Sequence, residues 1–265
     1  LGDDDSIGLS QARKEYGSSA VNRLLEKGWL QKDTVVVDRD PLAGFSFPHT
    51  LPLILTPAQE QIVLQVRSVL DDRSSSPRSF LIEGVTGSGK TEVYLCAVEH
   101  CLQLGKRAIV MVPEIALTHQ TVERFASRFP GNVAVLHSGL SPGERFDQWW
   151  KVQRGGYGVV IGSRSAIFAP QPDLGLIVID EEHEWTYKQH DASPRYHAKL
   201  VALRLAELTG AVVLLGSASP DVDSYRRAVR GDHRLMRLPD RIVQDGCSAS
   251  THTGTSRLAS VEVVD

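Results

Sequence analysis

Cysteine, aromatic residues and net charge are all scarce in this sequence. Its three cysteines, Cys96, Cys101 and Cys247, include no C-x-x-C pair. Neither a disulfide framework nor a zinc site is therefore expected, and a reducing compartment suits the chain. Only 6% of the 265 residues are aromatic, and 29 Lys plus Arg stand against 32 Asp plus Glu, a net charge of −3. A dedicated duplex-binding domain would be strongly basic, so any nucleic-acid contact must come from local patches. No apolar run approaches the roughly 18 residues of a membrane span, and no charged stretch followed by an apolar one opens the chain. A cytoplasmic location and no membrane partner are expected. What is present is an ordinary globular composition, 42% hydrophobic and 23% charged. It excludes collagen-like, disordered and disulfide-scaffold classes and suits one full α/β domain plus a smaller module.

Residues 1–5 read as a cut edge or solvated tail. Residues 1–41 contain a small helix–turn–helix–strand unit with the outline of a winged-helix module. Ser10 is expected to cap its first helix and Ser18 or Ser19 its second, which carries Val21, Leu24 and Leu25 on one face. Gly28 stands at the helix end, and Val35-Val36-Val37 reads as a short strand. The polar face offers Asn22, Arg23 and Lys27, which serves DNA binding or a plain packing role equally well. Residues 42–55, with prolines around them, read as a linker laid across a surface. From residue 56 to 240, after a first helix over 58–70, short apolar strands near 80–83, 107–112, 133–137, 159–162, 176–180 and 212–215 alternate with helices. Those helices begin near Lys90, Ala116, Ser141, Arg195 and Pro220. That alternation predicts an α/β fold with a parallel sheet covered by helices on both faces. Residues 241–265 read as a flexible connector followed by the opening of a further strand.

Gly84-Val85-Thr86-Gly87-Ser88-Gly89-Lys90-Thr91 matches G-x-x-x-x-G-K-[ST] between a strand and a helix. The glycines let consecutive amides turn toward phosphate oxygens, and the helix N-terminus adds positive potential. Gly84, Thr86, Gly87, Ser88 and Gly89 thus form the loop that holds ATP. Lys90 supplies a cation for the β- and γ-phosphates, and the Thr91 hydroxyl a Mg²⁺ ligand. Asp180 and Glu181 follow the apolar strand Leu176-Ile177-Val178-Ile179 at the strand end where such sheets bind ligands. Asp180 suits the Mg²⁺ shell and Glu181 suits orienting and deprotonating the attacking water. Two consecutive acids argue against a small-molecule kinase. Lys90, Asp180 and Glu181 are the expected catalytic residues.

The acids continue as Asp180-Glu181-Glu182-His183, a D-E-x-H box that resembles the nucleic-acid motor ATPases of helicase superfamily 2. Val112-Pro113-Glu114-Ile115, Leu136-His137-Ser138-Gly139, Gly162-Ser163-Arg164-Ser165 and Leu215-Gly216-Ser217-Ala218-Ser219-Pro220 narrow the likeness. Over roughly residues 6–240 the chain is similar to the primosomal protein N′ (PriA) family of bacterial replication-restart DNA helicases. The resemblance implies a RecA-like first motor lobe of a 3′-to-5′ helicase acting on forked or single-stranded DNA. Other primosome proteins and single-strand-binding protein are implied as partners. It also implies an adenine-reading role for Gln59, DNA-backbone contact for Ser163 and Arg164, and coupling of hydrolysis to strand movement for His183, Ser217 and Ser219. Serine stands where the family usually has threonine at 163 and 219; both keep a hydroxyl.

Glu184–Lys199 interleaves Trp185, Tyr187, Lys188, His190, Arg195, Tyr196, His197 and Lys199. Aromatic faces stack on unpaired bases while cations hold phosphates, so Trp185, Tyr187, Lys188 and Arg195 are candidates for strand binding. Tyr196 reads as core. The family's 3′-end-capturing module, second lobe with its arginine finger and zinc-binding cysteine insertion have no counterpart in these residues. The chain alone is therefore expected to bind nucleotide weakly and hydrolyse it poorly. Two alternatives are an ATPase-inactive DNA- or partner-binding segment and another superfamily 2 motor.

Overall fold

The computed structural model describes residues 7–33, 39–190, 193–244 and 253–256. They fall into two units, residues 1–38 and 39–265. In the first, α1 (Leu9–Tyr16) and α2 (Ser18–Glu26) meet at Gly17, whose φ of 85° makes the turn. Glycines take the two N-cap positions, Gly8 and Gly17, in place of the expected serines, and neither cap has a side-chain bond. A serine offers its oxygen only from outside the helix, and Ser10 and Ser18 already lie inside. Gly28 does close α2: its N–H reaches the Leu25 carbonyl and the Trp29 N–H the Leu24 carbonyl, the paired bonds of a Schellman ending. Val21 and Ala12 are buried, and Asn22, Arg23 and Lys27 are exposed. The expected strand at 35–37 lies outside the described residues, as do 245–252 of the connector and the expected strand at 261–265.

The second unit opens with an extended segment that reaches α3 (Pro57–Asp71). Thr56 and Gln59 form a capping box at the start of this helix, with Pro57 in its first turn. The unit then alternates strand and helix: β1 (Ser79–Gly84), α4 (Lys90–Gln103), β2 (Arg107–Met111), α5 (His119–Arg128), β3 (Val133–Leu136), α6 (Pro142–Gln153), β4 (Val159–Gly162), β5 (Leu174–Ile179), α7 (Ala198–Thr209), β6 (Val212–Ser217), α8 (Val222–Val229) and β7 (Arg234–Leu238). Ser141 caps α6 with Glu144, as its position suggested. The helix expected from Ala116 is instead a 3₁₀ turn, Glu114–Ala116, and α5 starts behind the Thr118 cap. His197 rather than Arg195 marks the start of α7.

Seven strands form one sheet in the order β3-β4-β2-β5-β6-β1-β7, every pair parallel. Alternate residues feed two cores. Phe80, Ile82, Ala108, Val110, Leu176 and Val178 pack with α3 and α4, while Leu81, Ile109, Met111, Ile177 and Ile179 pack on the other face with α7. Both faces are dry, which is why the strands read as unbroken apolar runs. β7 had no such run: its Arg234, Leu235, Met236 and Arg237 are only partly buried or exposed. Beyond it, β8 (Arg241–Gln244) and β9 (Thr253–Ser256) pair antiparallel. This corrects the reading of 241–265 as a flexible connector before a further strand: 241–244 and 253–256 are paired, and backbone pairing does not need an unbroken apolar run.

Candidate active site

The sheet order sets β5, β6 and β1 side by side, so the residues that follow their C-terminal ends share one rim. From β1 comes the loop through Gly87 and Gly89, at φ of 82° and 80°. This left-handed backbone is open to glycine at little cost. Lys90 begins α4 and is only 7% exposed. Its ammonium donates to the Gly84 carbonyl at 2.7 Å and lies 3.5 Å from Glu181 Oε1. Loop and acids thus converge on one cation, as their types predicted. Thr86, Gly87, Ser88, Gly89, Lys90, Thr91, Asp180 and Glu181 line a cavity of about 740 Å³, with Leu51 and Leu53 of the extended segment on another wall. That is the size of a small-molecule site. Ser88 is buried, and its hydroxyl has no partner among the described residues.

Gln59 is hydrogen-bonded to the phosphate loop. It is 1% exposed, and its amide is committed. The carbonyl accepts from the Thr56 N–H at 2.9 Å, and Nε2 donates to the Ser88 and Gly89 carbonyls at 3.0 and 3.3 Å. In this geometry Gln59 ties α3 to the phosphate loop rather than presenting a free amide to adenine. Gly89 is glycine for a second reason, since any Cβ there would run into Gln59 Nε2.

The acid box divides its labour. Asp180 accepts from the Tyr94 hydroxyl at 3.0 Å, and its carbonyl accepts from the Tyr187 hydroxyl at 2.7 Å. Burial, then the neighbouring Glu181, holds the Asp180 carboxyl above its usual range, with Tyr94 and Lys90 pulling the other way. Glu181 adopts φ of 45°, strain of the kind that collects at functional sites. Glu182 is 1% exposed and accepts from Lys199 Nζ, the Ser224 hydroxyl and the Asp221 N–H at 2.8, 2.8 and 2.7 Å. It braces α7 and α8 against the box. The described residues contain no cluster of three or more His, Cys, Asp or Glu able to hold a metal. Mg²⁺ needs none, because it keeps waters and takes one or two protein ligands beside substrate phosphates. Asp180 and Thr91, both on the cavity wall, suit that arrangement.

His183 Nδ1 sits 2.7 Å from the Ser217 hydroxyl at the end of β6, and the Ser219 N–H donates to the same oxygen at 3.0 Å. His183 is also 3.7 Å from Glu181 Oε2. The residues expected to couple hydrolysis to movement are thus joined by hydrogen bonds; Ser217 itself is fully buried. Gly216 leaves room for Tyr94, whose hydroxyl occupies the place of a Cβ there.

The strand-binding candidates separate. Trp185 is 73% exposed, and Lys188 and Arg195 are exposed too. Tyr187 is not: it is 1% exposed, its ring packs in the core, and its hydroxyl is spent on Asp180. Ser163 is buried as well. Arg164 donates to the Thr186 and Lys188 carbonyls at 3.3 and 2.9 Å, so its guanidinium supports the aromatic loop. Tyr196 is partly buried, at the margin of the core rather than inside it, and packs edge-on against the exposed Phe168. The roles of Tyr94, Lys199 and Ser224 were not anticipated; nothing in their spacing sets them apart from helix-face residues. Cys96 and Cys101 are buried thiols pushed up to about 11 and about 12 by burial, which suits packing rather than redox or zinc chemistry.

A nucleotide-sized cavity, a glycine loop around a buried lysine and an acid box on adjacent strands define a P-loop motor lobe. The chain belongs to the DEAD/DEAH box helicase family, whose profile matches residues 56–228. It is 48% identical over 230 residues to the replication restart protein PriA of Bacillus subtilis (strain 168), covering 87% of this chain and 28% of that protein. It is 41% identical over 232 residues to the PriA of Synechocystis sp., covering 85% and 27%. The chain thus spans less than a third of these relatives' length. The structure of RecG bound to a three-way DNA junction matches with a TM-score of 0.52 and 27% identity, over 71% of this chain and 24% of that one. The resemblance read from the motifs and the expected α/β lobe are both borne out. Among the described residues, no helix is long and apolar enough to cross a membrane.

Proposed function

We propose that this chain carries the ATP-binding half of an ATP-driven 3′-to-5′ DNA helicase, a primosome motor of bacterial cytoplasm that acts at forked DNA in replication restart. The observation that carries the reading is the buried Lys90 ammonium, set between the phosphate loop and Glu181 on the wall of the nucleotide-sized cavity. Amides of the loop bind the phosphates, the Ser88 N–H being held instead on the Val85 carbonyl, and Lys90 neutralises the charge that develops on the terminal one. Asp180 and Thr91 would hold Mg²⁺, which would supply positive charge to the phosphates. Glu181 orients a water and takes its proton at a carboxylate oxygen. The bond from His183 to Ser217 carries rearrangement at the acids to β6. Trp185, Lys188 and Arg195, on the exposed side of a loop whose Tyr187 grips Asp180, bind single-stranded DNA by stacking and charge. Single-strand-binding protein and other primosome proteins are the expected partners.

The test is ATP hydrolysis by the full-length protein with forked DNA, with RNA and with neither. Stimulation by forked DNA, abolished by Lys90→Ala, supports the reading. Equal or greater stimulation by RNA would transfer the chain to another class of superfamily 2 motor.

A further inference from the structure

The phosphate loop is hydrogen-bonded to a strand that lies beyond the motifs. In β8 the Ile242 N–H donates to the Gly87 carbonyl at 2.9 Å, and Arg241 Nε donates to the Thr86 carbonyl at 3.1 Å. The Arg241 stem covers Gly87, with Cγ 3.2 Å from where a Cβ would stand. Ile242 reaches over Gly89 and forms part of the cavity wall. β8 falls after the last residue of the helicase match, which ends at 228.

Peptide geometry gives these bonds a consequence. A trans peptide unit is planar, with its C=O and N–H pointing in opposite directions. Anchoring the Thr86 carbonyl to Arg241 therefore fixes the Gly87 N–H as well, pointing away from Arg241. The next unit is held at both ends: its carbonyl accepts from Ile242, and its Ser88 N–H closes on the Val85 carbonyl at 3.0 Å. A glycine-rich loop has many conformations to lose when it encloses a phosphate. A loop pinned from behind has already lost them. Resting on the nucleotide reading above, we propose that Arg241 and Ile242 are positioning residues of the phosphate site. β8 is a strap that keeps the loop amides aimed at the nucleotide, and its lifting would loosen the grip on phosphate.

The test uses the full-length protein, titrated calorimetrically with Mg·ADP and with AMP, which lacks the β-phosphate that the loop is proposed to enclose. Arg241→Ala should weaken ADP about fivefold, in line with one lost hydrogen bond, and leave AMP unchanged. Arg241→Lys should fail to restore ADP affinity, because a flexible ammonium keeps the charge but not the fixed Nε donor. The Ile242 amide of the unmodified chain should exchange slowly with solvent and faster in Arg241→Ala. Three outcomes would overturn the proposal: ADP binding unchanged by Arg241→Ala, ADP and AMP weakened alike, or full rescue by lysine, which would make Arg241 a simple charge. If the unmodified full-length protein binds no Mg·ADP, the nucleotide reading itself fails, and the role of the strap falls with it.

Discussion

Two stretches of the lobe carry dense chemistry, and they behave differently. Gly84–Thr91 does its work with backbone, so its residue types prescribe its shape: positive φ at Gly87 and Gly89, a buried lysine, a helix start. Glu184–Lys199 works with side chains, and there residue type does not reveal direction. Trp185 points to solvent while Tyr187, two positions on, is buried against Asp180. Lys188 is exposed, whereas Lys199 is locked to Glu182 and Asp221. A motif built on amides can be read from a string of letters. One built on side chains needs the fold to say which face each residue takes.

The largest expected effect belongs to the first stretch. In the full-length protein, Lys90→Ala should lower DNA-stimulated phosphate release by about 10²-fold or more, the scale of losing a preorganised electrostatic contact. Wild-type turnover would place the ammonium outside the chemistry. Next comes Glu182, which shares the acid box but not its task. Glu182→Ala leaves Lys199 with Asp221 as its one carboxylate partner and strips the acceptor from the Ser224 hydroxyl and the Asp221 N–H, and should cost about 1–3 kcal/mol in urea denaturation. An unchanged midpoint would mean that the bracing of α7 and α8 is nominal.

Within the second stretch, a pair of substitutions sharpens the contrast. Trp185→Ala should weaken single-stranded DNA binding by about 1–3 kcal/mol, the worth of a stacked base, without moving the urea midpoint. Tyr187→Phe should do the reverse, costing about 1 kcal/mol of stability through its lost hydrogen bond and leaving DNA affinity alone. Fluorescence anisotropy with labelled DNA separates the two. If both change DNA binding equally, the inward and outward division is wrong.

The smallest effect concerns pH. His197 caps α7 by accepting the Lys199 N–H at Nδ1. Burial, then the Lys199 charge, lowers its pKa below the usual 6.5. The unfolded chain therefore takes up the proton first as pH falls. The stability linked to this group is fully present above about pH 6.5 and is lost as pH drops toward the lower folded value. His197→Asn keeps a capping acceptor without titrating, so its urea midpoint should fall less between pH 7.5 and 5.5 than that of the unmodified chain. Parallel pH curves would remove His197 from the account.

Much of the architecture was legible because parallel strands buried on both faces are apolar without interruption, as Leu176-Ile177-Val178-Ile179 shows. β7 was missed because Arg234 and Arg237 lie at a half-covered edge of the sheet, where that signal fades. Lys90, Asp180 and Glu181 could be singled out because loop and box each have a distinctive residue pattern, and the three line one cavity. Gln59 illustrates what residue type leaves open: its burial and three amide bonds follow from where α3 packs. Tyr94 and Arg241 belong to the same class, since their partners lie 86 and 155 positions away in the chain.

The central claim is that the loop, Lys90 and the two acids form one magnesium-dependent nucleotide site, and calorimetric titration of ATP with and without Mg²⁺ tests it most directly. The account predicts saturable uptake at a single site that requires Mg²⁺ and disappears in Lys90→Ala. Binding that ignores both the metal and the lysine, or no binding at all by the full-length protein, would contradict it.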